Sequence, residues 1–122
     1  MNDKQQIEIC VQIYIDSMEQ SDPNLVKQAL HPNGSVVGYL HGELMEMSVN
    51  DFAEFVASQQ PSPRESGGGV NFQILSCEVE GKTALAKVSD TYLGITFLDT
   101  LSLIKTYDNW RIYNKLFHVE SE

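Results

Sequence analysis

The chain has little positive charge, almost no cysteine and no long apolar run. Eight Lys and Arg stand against seventeen Asp and Glu, a formal net charge of −9, and the basic residues nowhere cluster. A chain of that sign repels phosphate backbones and anionic bilayers, which argues against nucleic acid and against a membrane as partners. Cys10 and Cys77 are the only cysteines and form no C-x-x-C pair. Free thiols in a reducing compartment are therefore expected rather than a disulfide framework. No stretch approaches the ~18 apolar residues of a membrane span. The opening MNDKQQIEIC lacks a basic segment followed by an apolar one, so it does not read as a secretory signal and a cytoplasmic protein is expected. His31, His41 and His118 have no spacing that would bring three ligands together, so no metal is expected. Gly67-Gly68-Gly69 lacks the strand before and helix after that a phosphate cradle needs. No Ser or Cys carries a nucleophile signature, and nothing asks for a cofactor.

What is present fits one domain, residues 1–122, large enough to bury its own core. Asp3 with Gln6 reads as a helix start. Ile7, Cys10, Val11, Tyr14 and Met18 then recur at helical spacing and form one stripe. Ile9 and Ile13 fall off that stripe, as residues meeting a partner chain would. Asp22-Pro23 starts a second, short helix with Leu25, Val26, Ala29 and Leu30 on its apolar face. His31-Pro32-Asn33-Gly34 should stop that helix and turn the chain. Ser35–Leu40 and Glu43–Met47 read as short strands. Ser48 with Asp51 caps a third helix packed through Phe52, Ala53, Phe55 and Val56. Gln59–Gly69, with two prolines and three consecutive glycines, reads as a mobile loop. Val70–Val79 and Thr83–Tyr92 are long strands.

The last quarter alternates with period two. Ile95, Phe97, Asp99, Leu101 and Leu103 share one face. Tyr113, Lys115 and Phe117 share a face of the next run, opposite Ile112, Asn114, Leu116 and His118. The short polar loop Tyr107-Asp108-Asn109 joins the runs as an antiparallel hairpin. Placing Thr106 against Trp110 sets Asp99 opposite Phe117 and Leu101 opposite Lys115. Asp90 and Tyr92 join a pocket rim if their face is concave, and are interface or solvent residues if it is not. The order of elements predicts an α+β fold in which helices close one face of a curved sheet.

That order, with Asp22 and its short helix, Leu30-His31-Pro32-Asn33-Gly34-Ser35, Phe97–Leu103 and Trp110–Phe117, resembles the nuclear transport factor 2-like superfamily. This superfamily also holds ketosteroid isomerases, scytalone dehydratase and SnoaL-like cyclases. Within it the chain is most similar to the "putative lumazine-binding" branch. The resemblance implies a cone-shaped fold: a strongly curved antiparallel sheet wraps three N-terminal helices and leaves an apolar pocket between sheet and helix one. It also implies a homodimer through the sheet.

Asp99 and Tyr14 are the candidate catalytic residues, as acid and oxyanion donors, because the isomerases keep an acid protonated at the matching strand position and a tyrosine on helix one. The alternatives are a structural Asp99 paired with Lys115, and a Tyr14 whose hydroxyl only satisfies itself in the core. The isomerases' general base falls at Gly38, which has no side chain. The pocket is expected to be lined by Tyr14, Tyr39, Phe97, Asp99, Leu101, Tyr113, Lys115 and Phe117, and to take a small apolar or aromatic molecule. Three functions remain open: small-molecule binding, an isomerase, dehydratase or cyclase, and a dimeric association module without a ligand.

Overall fold

The computed structural model describes all of residues 1–122. Helix α1 runs from Asp3 to Glu19, α2 from Pro23 to Ala29 and α3 from Val49 to Ser58. Six strands follow the chain as β1 (Leu30–Leu40), β2 (Glu43–Ser48), β3 (Asn71–Glu80), β4 (Thr83–Tyr92), β5 (Ile95–Thr106) and β6 (Asn109–Ser121). They make one sheet in the order β2-β1-β6-β5-β4-β3, with every pair antiparallel except β1 and β6. The sheet curves without closing, and the helices lie in its concavity. No helix is long and apolar enough to cross a membrane.

Local chemistry explains the element boundaries, with two departures from the sequence reading. The α1 cap is Asn2 with Gln5, one residue before the expected Asp3–Gln6 pair. Asp3 is freed for a tertiary role: its Oδ1 accepts from Lys105 Nζ and Trp110 Nε1, both at 3.0 Å. Those hydrogen bonds, Trp110's first, hold the Asp3 carboxyl below its usual range. Second, His31-Pro32-Asn33-Gly34 does not break the chain between helix and strand. The strand begins at Leu30, and these residues bulge within it, between the pairs Leu30–Ile112 and Ser35–Asn114. The α2 and α3 caps fall at Asp22 and Ser48 as the spacing predicts.

The core forms where α1 and α3 press on the sheet. Ile7, Val11, Tyr14, Ile15 and Met18 of α1 and Phe52, Ala53 and Val56 of α3 are buried against Val36, Val88, Leu101 and Ile112. Each such side chain contributes about 1.5–3 kcal/mol relative to exposure. Phe55, expected to pack, instead lies partly exposed on the flank of α3. The Gln59–Gly69 segment is tied to the end of α1: Arg64 N donates to Glu19 O at 3.0 Å and Ser21 Oγ to Gln59 O at 2.6 Å.

Register at the β5–β6 hairpin depends on a bulge. The turn holds only Tyr107 and Asp108, both left-handed with φ of 50° and 66°, so Thr106 pairs with Asn109 rather than Trp110. Further along the hairpin, Leu103 pairs with Ile112 and Ser102 with Asn114, leaving Tyr113 extra on β6. The offset restores Asp99 opposite Phe117 and Leu101 opposite Lys115. It also keeps Trp110, Ile112 and Lys115 all on the inner face, where strict alternation would have turned Lys115 away from the other two.

Candidate functional site

Period-two alternation along β4 and β5 turns Val88, Asp90 and Tyr92, and Phe97, Asp99 and Leu101, into the concavity. The open question about Asp90 and Tyr92 therefore resolves to the inner face: both are buried. Val88 faces Asp99 and Asp90 faces Phe97, which makes the two acids diagonal neighbours. From the helix side, the Tyr14 hydroxyl donates to Asp99 Oδ2 at 2.8 Å. Both Tyr14 and Asp99 are fully buried.

The other carboxylate oxygens, Asp99 Oδ1 and Asp90 Oδ1 and Oδ2, are buried and find no donor among their neighbours. Asp90 is pushed up to about 9, first by burial and then by the neighbouring Asp99 carboxyl. Tyr14 is pushed well above its ordinary value by burial, then by Asp99 and Asp90. The site is a tyrosine hydroxyl bonded to one buried carboxyl, with a second buried carboxyl beside it. Burial favours the neutral form of Asp90, a residue that the sequence leaves undecided.

Lys115 stands beside this network without joining it. Its Nζ forms no ion pair and no hydrogen bond, so the pairing with Asp99 weighed from the sequence is absent. Instead Nζ lies 4.9 Å from the centroid of the Tyr14 ring, 4.8 Å from Phe52, 5.8 Å from Phe117 and 5.9 Å from Phe97. Those are cation–π distances to four rings. Phe97 and Phe117 meet edge to face at 5.6 Å, completing the cage.

Lys115 also reaches a cavity of about 100 Å³, whose other eleven lining residues are hydrophobic. Phe97 and Phe117 line it as expected, with Val36, Phe52, Tyr92 and the partly exposed Phe55 and Leu93 toward its mouth. The cavity lies between the sheet and α3. The pocket expected between the sheet and α1 is filled, because Tyr14, Ile15 and Met18 pack solidly there. Tyr14, Asp99 and Leu101 therefore lie in the buried layer rather than in the lining. Two expected lining residues are elsewhere. Tyr39 is 64% exposed on the outer face. Tyr113, the bulge residue, stacks on His31 with centroids 4.8 Å apart.

The missing base at position 38 has a steric reason. A Cβ there would stand 2.6 Å from the Phe117 ring and would meet the Phe117 carbonyl oxygen as well. No side chain fits while Phe117 occupies its place. A wider surface groove of about 410 Å³ beside Ile9, Cys10, Ile13 and Trp110 is remote from the acids. The Cys10 thiol there donates to Ala29 O at 3.4 Å, and burial pushes it up to about 11, which leaves it inert.

The family described as "Putative lumazine-binding" matches residues 2–118. Among curated proteins, the chain is 26% identical over 107 residues to aldolase FrzH of Cladobotryum sp., spanning 86% of this chain and 82% of that protein. A nuclear transport factor 2-like protein of unknown function from Silicibacter pomeroyi superposes with a TM-score of 0.88 at 23% identity, over 98% of this chain and all of that one. Another from Methylobacillus flagellatus gives 0.86 at 23% identity, over 98% and 93% of the two chains. These two likenesses establish the nuclear transport factor 2-like fold.

Proposed function

The chain belongs to the family described as "Putative lumazine-binding", and from that premise we propose that it binds a small, largely apolar molecule in the cavity between the sheet and α3. One observation carries the reading: Lys115, whose Nζ has no acceptor of its own, lines a cavity whose other residues are hydrophobic. Burial of the apolar part supplies affinity and a single polar contact supplies orientation. At about 100 Å³ the cavity is below the ~300 Å³ of drug-sized pockets. A short branched chain or a single ring fits it. Lumazine fits poorly as a ligand, because its several ring heteroatoms would be buried against an apolar wall with few partners.

Thermal unfolding against a series of short alcohols, aldehydes and carboxylic acids tests the reading. Ligands of about five or six non-hydrogen atoms should raise the midpoint in proportion to ln(1 + [L]/Kd). A flat response across the series overturns it.

A second reading, an enzyme acting on carbonyl compounds, is favoured by the buried Tyr14–Asp99 hydrogen bond with Asp90 beside it and by the aldolase among the relatives. An isomerase-type proton abstraction from position 38 is disfavoured, since Phe117 fills that place. We further propose a homodimer through the outer face of the sheet, where Tyr39 and Leu116 stand exposed on adjacent strands. The two free cysteines fit a cytoplasmic, reducing setting.

A further inference from the structure

We propose that Lys115 condenses with an aldehyde or ketone in the cavity, forming an iminium at Nζ. The inference rests on the binding reading above and names both the ligand class and the reacting atom. Lys115 differs from the chain's other lysines in its surroundings. Lys105 is paired with Asp3 at 3.0 Å, Lys4, Lys27 and Lys82 are exposed to water, and Lys87 is half-buried and lines no part of the cavity. Lys115 alone is buried, lines the cavity, and has a nitrogen with no acceptor of its own.

The step balances without an outside reagent. A lysine ammonium and a carbonyl compound give an iminium and one water. Nζ forms a bond to the carbonyl carbon, the carbon–oxygen bond breaks, and two nitrogen protons leave with the oxygen. The site holds one positive charge before and after. The faces of Tyr14, Phe52, Phe97 and Phe117 that surround the ammonium therefore serve the iminium equally. The two nitrogen protons pass to the oxygen within the condensing pair and leave as the water formed. The apolar lining keeps bulk water away from the product and so slows its hydrolysis.

The test uses the whole chain, 3-methylbutanal at one equivalent, and cyanoborohydride, which reduces an iminium to a stable secondary amine. Peptide mapping then locates the label. Lys115 is expected to carry about ten times more label than any other lysine, because the cavity holds the aldehyde beside it. Lys115→Arg, which keeps the cation and removes the nucleophile, should lose that label and leave the surface lysines unchanged. Label distributed over exposed lysines with Lys115 spared overturns the proposal. In parallel, 3-methylbutanol, which cannot condense, reports on the cavity through thermal unfolding. Stabilisation by the alcohol with Lys115 unlabelled means that the cavity binds but the amine does not react. No stabilisation by either compound, with Lys115 unlabelled, overturns the binding reading and the imine together.

Discussion

The Tyr14 hydroxyl donates to Asp99 Oδ2 across 2.8 Å and joins the first helix to the fifth strand, 85 residues apart in sequence. Both groups are fully buried, and together with the bonds from Lys105 and Trp110 to Asp3 this one ties α1 to the sheet. The second Asp99 oxygen is buried without a partner, with Asp90 diagonal to it on β4.

Tyr14→Phe removes the donor and leaves a buried carboxylate oxygen without its partner. Stability should fall by about 1–3 kcal/mol, the cost of orphaning a buried polar group. A urea titration checks this. An unchanged midpoint would mean that the hydroxyl contributes nothing to the tie.

Asp90 gives stability a pH dependence of definite sign. Its pKa rises from the ordinary 3.8 to about 9 on folding. Between those values the folded chain keeps a proton that the unfolded chain releases. The associated stability is therefore fully present below about pH 4, falls as pH rises through the window, and stops falling above about pH 9. Asp90→Asn cannot ionise and should remove this slope. Its stability relative to the parent should improve by a few kcal/mol between about pH 5 and about pH 8. Denaturation midpoints across that range that run parallel for the two chains would refute the assignment.

Gly38→Ala should destabilise, because the new methyl meets both the ring and the backbone of Phe117. Overpacking of this kind costs about 1–3 kcal/mol. Displacing Phe117 also disturbs one wall of the Lys115 cage, so the binding of small alcohols should weaken in the same variant. Calorimetric unfolding with and without the alcohol separates the two effects.

Tyr39→Lys combined with Leu116→Lys places charge on the outer face, away from the cavity. If the sheet pairs two copies there, sedimentation should show a dimer for the parent chain and a monomer for the variant. Alcohol binding should be unchanged in both. A monomer for the parent at micromolar concentration would remove the dimer.

Much of the architecture was legible because it is written in local periodicity. The α1 stripe, the Asp22 and Ser48 caps and the inward set Phe97, Asp99 and Leu101 follow from spacing that any neighbour in the chain obeys. The β5–β6 register came out right for an unexpected reason. The turn is one residue shorter than anticipated, and the bulge at Tyr113 offsets it before Asp99 is reached. A bulge leaves no composition signal, so Tyr113 was placed with Lys115 and Phe117 although its ring stacks on His31.

By itself the sequence determined the element order, the curved α+β fold and the inward acid on β5, since each depends on the side-chain pattern of a single segment. Only the tertiary structure decided where the hollow lies, that Asp90 is buried beside Asp99, and that Lys115 is caged by aromatic faces rather than paired with Asp99. The physical reason is that a cavity, a buried pair of acids and an unpartnered amine belong to no one segment. They arise from volumes and distances among α1, α3 and four strands, fixed only when the chain is packed.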